Sequence, residues 1–167
     1  MTETTREEAI AILEEGAASL AELLTSLTDD EMARPATIGG GEWSAKDLMG
    51  HVAFWEELAR GAIREWLQGR EPAAVVGVDE VNAANQERKR RWPLDRIRRD
   101  ATQTHQGLVA EIRAVDEESW LAPAPAHYAR HQGLGARVGG LTGSAEGPFR
   151  HAWAHLPDLR AYVESPR

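Results

Sequence analysis

Residues that are almost all apolar recur at steps of three and four through four stretches of this chain, and that spacing limits what it can fold into. Leu13, Ala17, Leu20, Leu24 and Leu27 follow it over residues 6 to 27; Leu48, Val52, Trp55, Ala59, Ala62 and Trp66 repeat it further on. Leu94, Ile97, Ala101, Thr104, Leu108, Ile112 and Val115 form a third run, and Phe149, Ala152, Leu156, Leu159 and Val163 a fourth. On a helix of 3.6 residues per turn such positions align as one buried stripe. No stretch shows the period-two alternation of a strand, so the expected fold is all-α: four amphipathic helices burying their stripes together as a bundle.

Local signals set the expected ends. Thr5 with Glu8 fits a capping box, and Ser44 with Asp47 opens a second helix that should stop near Gly69. The glycine-rich PATIGGGE, residues 35 to 42, separates the two. Asp79 is placed to cap a third helix that must end or kink at Pro93, giving one long bent element as far as Val115. From Asp116 to Gly147 periodicity disappears among two prolines and six glycines, and a long irregular loop is expected there. The last helix is expected from about Pro148 to Val163, kinked at Pro157.

Composition narrows the chemistry. A length of 167 residues suits one domain over 1–167, large enough for an ordinary core. The absence of cysteine excludes disulfides, thiolate ligands and a cysteine nucleophile, so any thiol chemistry needs an external thiol. The N-terminal MTETTREEAI lacks the basic and apolar regions of a signal peptide, and no apolar run spans a bilayer, so a cytoplasmic protein without a membrane partner is expected. A net charge of −8 argues against nucleic acid as a partner. The basic run RKRRWPLDRIRR, residues 88 to 99, with Trp92 in it, can be a nucleic-acid footprint; the favoured reading is a solvated face pairing with Glu7, Glu8, Glu14 and Glu15 of the first helix.

Histidines carry the functional signal. His151 and His155, in HAWAHLPDLRAY, stand one turn apart on one helix face, where two imidazoles can grip one ion. A hydrogen-bonded structural pair is the other reading of the same spacing. His51, in LMGHVAFWEEL, lies at the margin of the second stripe and is the natural third ligand. The HYARH pair, His127 and His131, has the same spacing but sits in the proline- and glycine-rich stretch, where surface histidines are expected.

GEWSAKDLMGHVAFWEE, residues 41 to 57, resembles the second-helix signature of the DinB-like four-helix bundles, and HAWAHLPDLRAY resembles their fourth-helix signature. DEVNAANQERKRRWPLDRI is most similar to the ClbS/DfsB-like branch. The resemblance implies a metal held by His51, His151 and His155, and it relates the chain to mycothiol- and bacillithiol-dependent S-transferases. It thus implies a divalent ion, zinc or nickel, with a low-molecular-weight thiol as cosubstrate, acting on a small-molecule electrophile or toxin. Thiol transfer or hydrolase-like detoxification are the expected reactions, with a non-catalytic sequestering or self-resistance protein as the alternative. Relatives often form homodimers, although no interface is announced here.

Around the triad, Asp47 lies one turn before His51 and is either a cap alone or also an orienting group. Trp55 is read as core or pocket wall. Asn82 and Asn85 are candidates to present amides to a ligand.

Overall fold

The computed structural model describes residues 4–166. Its helices are α1 (Arg6–Thr25), α2 (Asp29–Ala33), α3 (Ala45–Leu67), α4 (Val78–Arg90), α5 (Leu94–Ala114), α6 (Glu117–Leu121), α7 (Leu134–Leu141) and α8 (His151–Glu164). The only bridge among the described residues is an isolated one, between Ser144 and Gly147. The long helices α1, α3, α5 and α8 make the bundle, with α3 lying along α5 and α1 along α8. No helix among the described residues is long and apolar enough to cross a membrane.

Three helix starts use the same device. Thr5, Thr28 and Ser44 each accept from the backbone amide three residues on, while Glu8, Glu31 and Asp47 reach back to the cap residue's own amide. Each exchange satisfies two amides that a helix start would leave without partners. α3 then ends at Leu67, and Gly69 turns the chain with φ +72.

The stripes meet in two clusters. Leu13, Ile63, Leu108 and Ile112 pack with Trp120 and Phe149 toward one end, and Leu24, Met32, Leu48, Leu156 and Leu159 toward the other. Leu48, Leu108, Ile112 and Leu159 are fully buried. Each such side chain contributes about 1.5–3 kcal/mol through removal from water.

Several expected boundaries move. α4 begins after Gly77, whose φ of +68 lies in the left-handed region, so Asp79 falls in the first turn and caps nothing. α4 and α5 are separate helices, because Pro93 stands as the residue before α5 and the chain turns at Arg91 and Trp92. The 116–147 stretch is irregular only in part, since it holds α6 and α7. α7 packs on α3 and closes the first cluster through the buried Leu134 and Val138. α8 starts at His151, not Pro148, because Phe149 has φ +63 and cannot extend the helix backward. The helix then runs through Pro157 without ending.

Candidate metal centre

His51 comes from α3 and the pair from α8. The Nε2 atoms of His51 and His151 are 3.0 Å apart, and those of His151 and His155 3.2 Å apart. One ligand atom from each of the three lies within 4.8 Å of the others, the one such group found among the described residues. His51 is buried and the pair half-buried.

Hydrogen bonding alone does not account for this convergence. A ring nitrogen carries either one proton or one lone pair, so Nε2 of His151 can make one good hydrogen bond, yet it faces two neighbours. A shared ion with bonds of about 2.0–2.1 Å would hold ligand nitrogens about 3.0 Å apart at right angles and about 3.4 Å apart at tetrahedral ones. The observed 3.0 and 3.2 Å lie in that range.

Electrostatics agree with the spacing. Burial first, then the neighbouring His151, His155 and Lys89, push His51 down to about 2. Burial and His155 push His151 down to about 3, and burial lowers His155 against the opposing charge of Asp158. All three imidazoles are therefore neutral at physiological pH, the form that ligates a cation. The three residues fit a divalent ion.

Ring orientation comes from packing more than from hydrogen bonds. Nδ1 of His51 and Nδ1 of His151 are buried and have no hydrogen-bond partner. Trp43 leans on His51 with ring centroids 4.6 Å apart, and its own Nε1 donates to Gln86 at 3.0 Å. Trp55 meets His151 edge-on at 6.2 Å. The backbone amide of His151 donates to the carbonyl of Thr142 at 2.8 Å, tying the start of α8 to the end of α7.

The triad opens into a cavity of about 560 Å³ lined also by Trp55, Asn82, Val75, Val78 and Arg137. Trp55 serves both core and wall: it is 8% exposed, and its Nε1 donates to Asn82 Oδ1 at 3.0 Å. That bond leaves the Asn82 amide N–H groups for the cavity. Asn85 does not line the cavity; it is buried, and its Oδ1 accepts from Arg88. The Asp47 carboxylate accepts from the amide and hydroxyl of Ser44 at 2.9 and 2.7 Å, as a cap requires. His127 and His131 are exposed and lie outside any helix, while Tyr128 between them packs edge-on against Trp66.

Arg137 escaped sequence reasoning. It sits in a helix containing three glycines, LGARVGGL, with no apolar stripe long enough to orient it. Lys89 escaped as well: it belongs to the basic run expected to be solvated, but its Nζ is buried and donates to Gly50 O at 3.1 Å and Asp100 at 2.6 Å. Among the described residues, no ion pair joins the basic run to the acidic side of α1. Arg98 pairs with Asp29 and Asp95, and Arg90 with Glu87, while the partner of Glu14 is Arg113.

No curated protein matches the chain. Among solved structures, an uncharacterised protein from Escherichia coli UTI89 superposes with a TM-score of 0.78 at 13% identity, over 96% of this chain and 94% of that one. The colibactin self-resistance protein ClbS, in complex with a dsDNA, gives 0.78 and 13% over 100% of both chains. A mycothiol-dependent maleylpyruvate isomerase gives 0.70 and 18% over 95% of this chain and 63% of that one. At these identities the shared property is the fold. The ClbS complex nevertheless overturns the expectation that nucleic acid is excluded as a partner. Net charge is a sum over the whole surface, whereas phosphates meet a local one, and Arg88, Arg90, Arg91, Arg96 and Arg99 are all exposed within one short stretch. The sequence profile of the DinB superfamily matches residues 12–141, spanning His51 and ending before α8; the chain belongs to the DinB superfamily.

Proposed function

We propose that this protein is a divalent-metal-dependent enzyme that transfers a small nucleophile, a low-molecular-weight thiol or water, to a small electrophile. The observation that carries the reading is the approach of three neutral imidazoles, 3.0 and 3.2 Å apart, at the wall of a 560 Å³ cavity. His51, His151 and His155 would hold zinc or nickel, both of which suit imidazole. A divalent ion on three neutral ligands keeps its full charge and lowers the pKa of a bound water or thiol toward neutrality.

The remaining residues position and shield. Trp43 and Trp55 set the rings of His51 and His151, and Asn82 fixes the Trp55 indole. Val75 and Val78 present apolar surface to the cavity, which limits water around a bound electrophile. The mycothiol dependence of the isomerase with this fold supports a thiol as the nucleophile, and the self-resistance role of ClbS supports a reactive small molecule as the target.

The test begins with metal content. Protein purified without chelator or affinity tag is expected to hold about one zinc or nickel per chain, and His51→Ala or His155→Ala to hold little. Stoichiometric metal with no consumption of thiol or electrophile across a substrate panel would favour a sequestering protein. Absence of metal from the wild type would remove the enzyme reading altogether.

A second reading, DNA contact, draws support from the exposed arginines of residues 88–99 and the full-length similarity to ClbS. Retention on double-stranded DNA that weakens steeply with salt and is lost in the Arg90→Ala, Arg91→Ala double variant is the expected result; indifference to both would discard it.

A further inference from the structure

The charge distribution around the triad points to what the cavity receives. In a chain of net charge −8, no aspartate or glutamate among the described residues lines this cavity, and its one fully charged side chain is Arg137.

Arg137 itself is under-paired. One Nη2 hydrogen bond goes to the carbonyl of Ala73, and Nε is buried without an acceptor. No carboxylate among the described residues lies within ion-pair distance of it. The two acidic residues nearest in effect are engaged elsewhere: Glu71 accepts from the amides of Ala129 and Arg130 at 2.9 and 3.0 Å, and Glu65 from the amide of Ala73 at 3.2 Å. A partly buried guanidinium without an anionic partner is unfavourable in the free protein, and an anion entering the cavity relieves it. Asn82, whose Oδ1 is taken by Trp55, adds neutral amide donors to the cavity lining.

We propose that the cavity takes a small molecule bearing a carboxylate or phosphate group, and that Arg137 receives that group while the rest of the molecule extends toward the three histidines. This names the substrate class for the function proposed above and rests on the same cavity, but the contact with Arg137 does not itself require the ion.

Benzoate, phenyl phosphate and neutral benzamide are the probes, titrated calorimetrically into metal-free and zinc-loaded protein. Benzoate or phenyl phosphate is expected to bind metal-free wild type, and Arg137→Gln to bind the same anion about tenfold or more weakly, as truncation of a charged, partly desolvated contact does. The tighter anion identifies the group. Arg137→Lys, which keeps the charge, is expected to bind more tightly than Arg137→Gln. Unchanged melting temperature and zinc uptake in Arg137→Gln separate loss of the contact from loss of the fold.

Equal anion affinity in wild type and Arg137→Gln would overturn the proposal. So would equal affinity in the two variants, or benzamide binding as tightly as the anions. A wild type that takes no zinc yet binds anions through Arg137 would refute the metal-dependent reading and uphold this one.

Discussion

Gly16 of α1 lies directly beneath the Trp153 indole of α8: a methyl group at Gly16 would stand 2.9 Å from Trp153 Nε1 and 3.0 Å from its Cδ1. That nitrogen donates to the carbonyl of Ile12 at 3.1 Å, so the indole is pinned to α1 along one edge. Trp153 sits midway between His151 and His155, and its docking turns both imidazoles away from α1 toward α3. Gly16→Ala should gain helix propensity of about 1 kcal/mol yet lose more by displacing the indole. The expected outcome is a lower melting temperature and about tenfold weaker zinc binding. Unchanged zinc affinity, measured by competition with a chelating dye, would show that Trp153 does not set the rotation of α8.

Acid should destabilise the metal-free protein. The folded-state pKa values of His51, His151 and His155 lie below the ordinary 6.5, so the unfolded chain takes up protons first as pH falls. Stability from keeping these rings neutral is fully present above about pH 6.5 and is lost below it, at up to about 1.4 kcal/mol per pH unit for each ring. Urea melts between pH 7 and pH 4 measure this directly. Replacing the three histidines with glutamine should flatten the slope, and a slope indifferent to that change would assign acid sensitivity elsewhere.

His105 behaves in the opposite sense. Burial works against its charge, but the hydrogen bond from Nδ1 to Glu56 Oε1 at 2.9 Å, with the charges of Glu56 and Glu14, raises its pKa. Its stabilising contribution is complete below about pH 6.5 and disappears as pH rises through the raised folded value. Glu56→Gln should therefore cost most stability at pH 6 and less at pH 9. The imidazole shifts of His105, followed by NMR, should titrate at lower pH in the variant; an unmoved titration would disprove the coupling.

Lys89 joins three helices through one ammonium. Bonded to Gly50 O on α3 and Asp100 on α5, it brings α4 against the turn that carries His51. Lys89→Met leaves Asp100 without its cation and should cost about 1–3 kcal/mol. Asp100→Asn in the same chain should restore part of that, because the unpaired charge is gone. A double variant less stable than either single one would show that the pair is not the unit.

Much of this arrangement was legible in the chain. His51, His151 and His155 could be brought together because each sits beside a stripe whose period fixes its direction, and Ser44 with Asp47 declared the start of α3 through capping chemistry alone. α7 was hidden for a physical reason. Gly139 reads as a helix breaker, yet a methyl group there would meet the Phe149 ring and Pro148 at 2.9 Å, so the residue is small because two segments cross at that point. A close approach leaves no periodic mark. Arg137 was lost with its helix. Lys89 was lost because charge in a basic run gives no sign of which member turns inward; only the position of Asp100 across the α4–α5 turn decides it.

The separation of His51 from His151 and His155 by about one hundred positions has a consequence for biosynthesis. The first ligand is made early, on a helix able to fold against its neighbours at once, while the other two arrive on α8. Until residue 155 has been synthesised and α8 has settled against α1, the nascent chain presents only one of the three imidazoles of the cluster, and one imidazole is too weak a donor to retain an ion. Under the proposed function, metal loading would thereby be deferred until α8 has docked, and a chain that fails to dock this helix would not assemble the three-histidine site.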